Sequence, residues 1–190
     1  GSICLKCFFS FYTLTTALPW VCILILFTGL CKAIHRAISV VSWNCKFTRL
    51  LSSLPLESNP KLENIATGTH FYNYLVVVNN NQLHAAFTHG FLNPKAYLTS
   101  GICSYLTDKE LQSVILHEMH HVTNRDPLKL FIIQILCTLN FFLPINYFLL
   151  NKFSSLSEKA ADDNVVKLSG EPLELASAMV KICKSNTIAV

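Results

Sequence analysis

A histidine and glutamate motif in the middle of the chain carries the residue types that zinc chemistry needs. Residues 117–121 are His-Glu-Met-His-His. Residues four apart on a helix lie on one face, so His117 and His121 can direct ring nitrogens at one zinc ion. Glu118 would lie beside the metal, where its carboxylate can take a proton from a zinc-bound water. The motif therefore predicts hydrolysis of peptide bonds.

The second histidine ligand has one competitor within the motif. His120 lies three residues after His117 and could replace His121 as a ligand. The presence of Glu118 completes the H-E-x-x-H spacing and favours His121. We therefore expect His120 to be solvated or to lie behind the residues that bind the metal.

A catalytic zinc also needs a third protein ligand and an open position for water. Glu158 is the best candidate, and Asp162 follows it by one helical turn on the same face. Asp162 could orient a ligating histidine through the second ring nitrogen. In the competing interpretation, Ser155 and Glu158 form a capping box that binds only backbone. His84 and His89 are rival third ligands.

The motif is predicted to lie on a helix with a defined beginning. Thr107 and Glu110 have the T-x-x-E spacing of a capping box. The helical period is then continued by apolar residues at positions 111, 114, 115, 119 and 122. The helix is expected to end near Arg125. Asp126 and Pro127 then have the pattern of an N-cap followed by proline at the first position of the next helix.

Three short strands are predicted before this helix and two helices near the end of the chain. The strand candidates, rich in β-branched and aromatic residues and separated by turn residues, are 72–78, 84–89 and 96–99. A helix is predicted over residues 155–168, closed by Gly170, and a final helix begins at Pro172. These elements would surround the zinc motif with a small sheet and additional helices.

The composition indicates a membrane protein, because only 14% of residues are charged and 52% are hydrophobic, whereas soluble domains carry about 25% charged residues. Residues 7–31 contain no charge, which is long enough for a spanning helix of about 20 residues. A signal peptide is the alternative, but its apolar core is shorter. We therefore assign residues 1–36 to an N-terminal membrane anchor and residues 37–190 to a zinc metallopeptidase domain. The apolar period that begins at Phe47 predicts an amphipathic helix leading from the anchor into this domain.

The charges around the anchor predict its orientation and exclude one class of partner. Lys6 precedes the apolar stretch, whereas the residues that follow it include Lys32, Arg36, Lys46 and Arg49. The positive-inside rule then places the rest of the chain, with its active site, on the cytoplasmic side of the cell membrane. The net charge of +4 forms no dense basic run, so nucleic acid is not expected. The expected partners are the lipid bilayer and a protein or peptide substrate, and the oligomeric state is left open.

A second uncharged stretch, residues 130–150, is predicted to turn back on itself. Its helical length of about 31 Å would suit a membrane span. However, His121 precedes it and Glu158 follows it, and one zinc ion needs both ligands on the same side. We expect a bend at Asn140 and Pro144 that makes either a re-entrant hairpin or an amphipathic pair near the surface. Either form should pack against the anchor helix.

Several segments, in this order and spacing, resemble the membrane-embedded antirepressor metallopeptidases, typified by the sensors of β-lactam and methicillin resistance. The matching segments are Ala-Phe-Thr-His-Gly at 86–90, Asn-Pro-Lys-Ala-Tyr-Leu-Thr-Ser-Gly at 93–101, Leu-Thr-Asp-Lys-Glu-Leu at 106–111, the motif at 117–121, Asn-Arg-Asp-Pro-Leu at 124–128 and Glu-Lys-Ala-Ala-Asp-Asp at 158–163. The heat-shock membrane proteases and the CAAX prenyl proteases are also similar. Residues 94–101 look more like the antirepressor type.

The resemblance implies an α+β membrane protein with an N-terminal transmembrane helix and a gluzincin-like zinc peptidase core. That core orders a helix, a small β-sheet, the HExxH helix, a re-entrant or hairpin apolar segment and a Glu-bearing helix. By resemblance, Glu158 is the third zinc ligand, Asp162 is a supporting residue, and residues 86–90 hold the substrate as an added edge strand. The full sensors have more spans and an extracellular drug-binding domain, so β-lactam sensing is not carried over.

Three functional hypotheses follow. The leading one is a membrane-anchored zinc endopeptidase that cleaves cytoplasmic or membrane-proximal proteins, with a regulatory role as one option. The second is a zinc-stabilised signalling or scaffold module without turnover, in which His120, His84 or His89 would close the metal site as a fourth ligand. The third is a toxin-like or bacteriocin-related membrane protein in which the motif is accidental. Glu118 favours the first hypothesis, because a purely structural zinc site has no use for a general base.

Overall fold

A single long helix, α1, runs from Ser2 to Ser53. The computed structural model describes the backbone of residues 2–66 and 71–188, and side chains for residues 15–65 and 71–185. Among these, the stretch Thr15–Ser53 is apolar and long enough to cross a membrane. Its large side chains face outward, with Trp20 73% and Leu26 69% exposed. Such a surface suits lipid contact.

The separate amphipathic helix predicted from Phe47 is therefore wrong, because these residues continue α1 without a break. Phe47 and Leu51 do pack against the sheet, as an apolar helical face should. The predicted division at residues 36 and 37 falls inside α1 and stays a prediction, as does the anchor assignment. The first residues of the anchor, including Lys6, lie outside the part of the chain whose side chains are described.

A small mixed sheet supports the centre of the molecule. Its strands are β1 (Leu75–Val78), β2 (Ala86–His89) and β3 (Lys95–Thr99), in the order β1-β3-β2. β1 is parallel to β3, and β2 is antiparallel to it. The first two strands are shorter than predicted, because residues Tyr72–Tyr74 form a 3-10 turn and residues 84 and 85 precede β2.

The two edges of the sheet differ. The outer edge of β1 is covered by the segment after α1, through a bridge between Leu56 and Val78 and a hydrogen bond of 2.9 Å from the Asn79 N–H to the Pro55 carbonyl. The outer edge of β2 has no strand beside it among the described residues. An open strand edge can accept another extended chain.

Helix α4 (Asp108–Asn124) is the central helix of the core. The predicted capping box is confirmed, since the Thr107 hydroxyl accepts from the Glu110 N–H at 3.3 Å and the Glu110 carboxylate accepts from the Thr107 N–H at 2.9 Å. The apolar residues of the predicted helical period also lie in the core, and they are Leu111, Val114, Ile115, Met119 and Val122. Two short helices were not predicted, α2 (Pro60–Ala66) and α3 (Ser100–Tyr105).

The predicted bend in the second apolar stretch is confirmed. Helix α5 (Asp126–Leu139) ends at the turn, and α6 (Ile145–Ser169) returns alongside it. The Asn146 amide donates to the Cys137 carbonyl at 2.9 Å and ties the two arms together. Whether this hairpin is re-entrant or lies near the membrane surface stays a prediction.

The hairpin packs against α1, as expected for apolar helices that meet at a membrane. At Gly29, an added Cβ would lie 2.8 Å from the Leu139 carbonyl oxygen, so only glycine allows this approach. The Lys32 ammonium lies 4.0 Å from the centre of the Phe141 ring, which is a favourable cation–π distance.

The predicted helix over residues 155–168 begins earlier, at Ile145, so Ser155 and Glu158 lie inside α6 and the competing interpretation of them as a capping box is wrong. Its predicted end is confirmed, with Gly170 in the left-handed conformation at φ 69°. The coarse architecture is thus mostly helical with a small sheet, in agreement with an α+β chain.

The last helix, α7 (Pro172–Ile188), is attached to α4 through a buried carboxylate. Glu110 is 2% exposed and accepts from the Ser177 hydroxyl at 2.6 Å and from the Lys181 ammonium at 2.8 Å. Burial alone would raise the pKa of Glu110, but these hydrogen bonds and those from Thr107 lower it to about 2. The beginning of α4 is therefore joined to α7 by charge-assisted hydrogen bonds.

Replacing Lys181 with methionine should destabilise the fold, because it leaves the Glu110 carboxylate buried without its cation. We expect a loss of about 1–2 kcal/mol, reduced by the partial exposure of Lys181. Thermal unfolding in detergent should then show a Tm lower by roughly 3–6 °C. The control is Lys109→Met, which breaks the exposed Lys109–Glu171 pair and should change the Tm little. Equal effects of the two substitutions would show that the buried pair is no stronger than the exposed one.

The same carboxylate predicts an acid-sensitive stability. Because the pKa of Glu110 is lowered from 4.5 to about 2 on folding, its contribution is complete above pH 4.5 and disappears as the pH falls towards 2. The Tm of the wild-type protein should fall across this interval. Glu110→Gln should have a lower Tm at neutral pH and a smaller fall in acid. Parallel curves for the two proteins would rule out this contribution.

Candidate metal and catalytic site

Three side chains from two helices converge on one point. His117 and His121 lie on successive turns of α4, and Glu158 lies in the middle of α6. One potential ligand atom from each falls within 4.8 Å of the others. Buried Ala161 and Val165 fix this face of α6 in the core. The hairpin thus brings the predicted third ligand to the predicted pair.

The distances within this group suit a metal ion. The Nε2 atoms of His117 and His121 are 3.3 Å apart, and the Glu158 carboxylate oxygens lie 3.4 Å from the first and 3.8 Å from the second. Ligands about 2.1 Å from a tetrahedral zinc ion lie roughly 3.4 Å from one another. Two imidazoles and one carboxylate are also a donor set typical of catalytic zinc. The group can therefore hold a metal.

Asp162 lies behind the first histidine, as its position one turn after Glu158 predicts. Its Oδ1 is 3.0 Å from the Nδ1 of His117, on the side of the ring away from Glu158. The contact lacks full hydrogen-bond alignment, and the His117 Nδ1 is buried. A small rotation of the exposed Asp162 would complete the bond and orient the ring.

Asp126 has the corresponding position behind the second histidine, and the sequence prediction missed it. Its Oδ2 lies 2.9 Å from the Nδ1 of His121 and accepts from the Ser157 hydroxyl at 2.6 Å. Burial would raise the pKa of Asp126, but the hydrogen bonds from Ser157, His121 and Lys129 lower it. The carboxylate is thus held ionised beside the imidazole.

The prediction of Asp126 as an N-cap is wrong. The cap is Arg125, in the left-handed conformation at φ 53°, and Asp126 is the first residue of α5. The sharp junction between α4 and α5 turns its side chain towards His121. The only signal in the sequence was an aspartate a short distance after the motif, which the N-cap pattern explained equally well.

Glu118 is 9% exposed and lies at the bottom of the site. Its Oε2 accepts from the Thr88 hydroxyl at 2.8 Å, and the same hydroxyl lies 3.1 Å from the Glu118 carbonyl oxygen. Burial raises the pKa of Glu118, while the hydrogen bond from Thr88 and the charges of His117 and His121 lower it, with a net rise. Thr88, on strand β2, is a second site residue that sequence reasoning missed.

The rival histidines are not members of the group found in the described part of the chain. The Nε2 of His89 lies 3.0 Å from the Thr48 hydroxyl, and its ring packs against Phe47 on α1. Burial lowers the pKa of His89 despite a backbone hydrogen bond at Asn44. The pKa of His120 is also lowered by burial, and His84 lies beside the ring of Tyr105.

An open cleft of about 330 Å³ lies over the three converging side chains. One wall is formed by the outer edge of β2, and the other by the α5–α6 hairpin. Its lining residues are Ala86, Phe87, Thr88, His117, Glu118, His121, Asp126, Pro127, Leu130, Phe153, Ser154, Ser157 and Glu158. The cleft is therefore accessible from solvent and continuous with an unpaired strand edge.

Comparison with known proteins shows similarity to membrane metallopeptidases. Residues 8–188 match the family described as BlaR1 peptidase M56. The protease HtpX homologue of Moorella thermoacetica is 31% identical over 49% of this chain and 42% of its own length. HtpX homologue 2 of Methanosarcina acetivorans is 28% identical over 45% and 40%. The chain thus spans less than half the length of these relatives.

A similar fold is found in the crystal structure of S. mikatae Ste24p. The two structures superpose with a TM-score of 0.55 at 16% sequence identity, over 92% of this chain and 57% of the Ste24p chain. At this identity the likeness concerns the fold alone.

Replacing Asp126 with asparagine should weaken metal binding by about 10–100-fold, because residues behind ligating histidines typically contribute that much. The amide is nearly isosteric but does not supply the negative charge beside His121. The measurement is competitive zinc titration of the purified protein against a chelator. Asp163→Asn, an exposed neighbour on α6 outside the group, is the control. An affinity for Asp126→Asn within twofold of the control would exclude the role.

Proposed function

The chain belongs to the BlaR1 peptidase M56 family, and on this premise we propose that it is a membrane-anchored zinc endopeptidase. The proposed substrates are cytoplasmic or membrane-proximal proteins. The observation that carries the proposal is the convergence of His117, His121 and Glu158 beside a buried glutamate. The donor set fits zinc, and the cleft leaves room for water and substrate.

When bound, zinc would supply Lewis-acid activation of water and of the scissile carbonyl. Glu118 would accept the proton of the attacking water and return it to the leaving amine. Thr88 holds one carboxylate oxygen at 2.8 Å and so fixes the direction of the other. The buried Glu118 carboxylate, held by Thr88, is in position to take up and release a proton.

The free edge of β2 supports a proposal for substrate binding. Residues 86–88 line the cleft, and no strand covers their outer side in the described chain. An extended peptide can add to such an edge through main-chain hydrogen bonds. This mode places a peptide bond in front of Glu118 with little dependence on side-chain identity. It suits cleavage of unfolded or extended protein segments.

The geometry favours a catalytic over a structural zinc site. A structural site is normally closed by four protein ligands, whereas the group in the described residues has three. Glu118 beside them adds a buried acid that a structural site does not need. The exposed apolar surface of α1 supports a location in the cell membrane. The basic residues after residue 31 support an active site facing the cytoplasm.

Glu118→Gln should keep the fold and the bound zinc but lose proteolysis. Glutamine has the same shape but cannot accept the proton, and loss of a general base typically costs about 10²–10⁴-fold in rate. The measurement is cleavage of an unfolded protein such as casein by the zinc-loaded chain in detergent, with metal content determined in parallel. Wild-type protein treated with chelator is the control. Near-normal cleavage by Glu118→Gln would remove this residue from the mechanism.

A further inference from the structure

A second cavity, of about 260 Å³, adjoins the open cleft at Glu118. It is enclosed between α4, α7 and the residues that lead into β2, and we name it the α7 pocket. Its walls include Val114, Met179 and Ile182, and it shares Ala86, His117 and Glu118 with the cleft. We propose that the α7 pocket is a specificity pocket for an apolar side chain of the substrate, next to the bond that is cut. This inference rests on the proposed peptidase function.

The position of the pocket follows from the residues that the two cavities share. A peptide added to the edge of β2 would pass Ala86 in going from one cavity to the other. At that point it lies against Glu118, where the proton transfers take place. The scissile bond therefore falls at the boundary between the cavities. One residue that flanks this bond can place its side chain in the α7 pocket.

The chemistry of the walls selects the side chain. Val114 is buried, Ile182 is partly buried and Met179 is 41% exposed, so these walls present aliphatic and thioether atoms, and His84 also lines the pocket. A charged side chain would lose its hydration against these aliphatic walls. An acidic one would in addition face the Glu118 carboxylate. The pocket therefore fits aliphatic or aromatic residues.

The outer wall of the pocket has a fixed position, which specificity requires. Helix α7 is held on α4 by the bonds from Ser177 and Lys181 to Glu110. Ala178 and Leu175 pack into the core beside the wall. Met179 is the long, flexible side chain on this wall, so its size determines the free depth of the pocket.

The test is the cleavage preference of the full chain, zinc-loaded and reconstituted in nanodiscs, on a peptide library. The wild type should prefer apolar residues at one position flanking the cut. Met179→Ala should move this preference towards larger side chains, and Met179→Trp towards alanine and glycine, each by about 10-fold, since one methylene in such a pocket changes selectivity by that order. Val180→Ala, on the exposed side of the same helix, should leave the preference unchanged.

A measurement of peptide binding without turnover separates the selection of side chains by the pocket from the catalytic step. Fluorescence anisotropy with Glu118→Gln protein should show tighter binding of a peptide with leucine at the preferred position than of its aspartate analogue. Met179→Ala should reverse the order of leucine and tryptophan peptides. An unchanged preference in both Met179 variants, or a loss of rate that is equal for all peptides, would overturn the pocket. A zinc-loaded wild type that cuts no peptide would overturn the proposed function itself.

Discussion

A single metal ion can be held only if its ligand atoms meet within a few ångströms, and His117, His121 and Glu158 meet this requirement. His117 and His121 satisfy it locally, because they are one helical turn apart on α4. Glu158 satisfies it only through the α5–α6 hairpin, which carries the chain away and returns it. The turn at residues 140–144 is therefore required to form the site, although none of its residues lines the cleft.

His117 and Glu118 are buried and His121 and Asp126 nearly so, and such polar groups need partners, whereas Glu158 and Asp162 are more than half exposed. Asp162 and Asp126 lie behind the two histidines, Ser157 holds Asp126, and Thr88 holds Glu118. These contacts come from α5, α6 and β2, so each element that encloses the cleft also fixes a reacting group. The proposed substrate-binding edge and the proposed general base are coupled in this way through the Thr88 hydroxyl.

The sequence predicted those parts of the site and fold that depend on local patterns. The H-E-x-x-H spacing, the cap at Thr107 and the bend at Asn140 and Pro144 each follow from a few neighbouring residues. Asp126 and Thr88 escaped prediction because their roles arise from packing between elements. The Ser155 and Glu158 pattern placed the predicted start of α6 too late, because a capping sequence can also occur inside a longer helix, where it has no free backbone groups to bind. The continuity of α1 was missed because nothing in the sequence marks where an anchor would end.

The most direct test of a metal held between α4 and α6 is X-ray absorption spectroscopy of the zinc-loaded protein, combined with its metal content. We predict one zinc per chain with two imidazole ligands and one carboxylate, and a severe loss of metal in Glu158→Ala. Asp163→Asn, on the same helix, should retain the wild-type spectrum. Stoichiometric zinc with an unchanged ligand shell in Glu158→Ala would show that the hairpin does not deliver the third ligand.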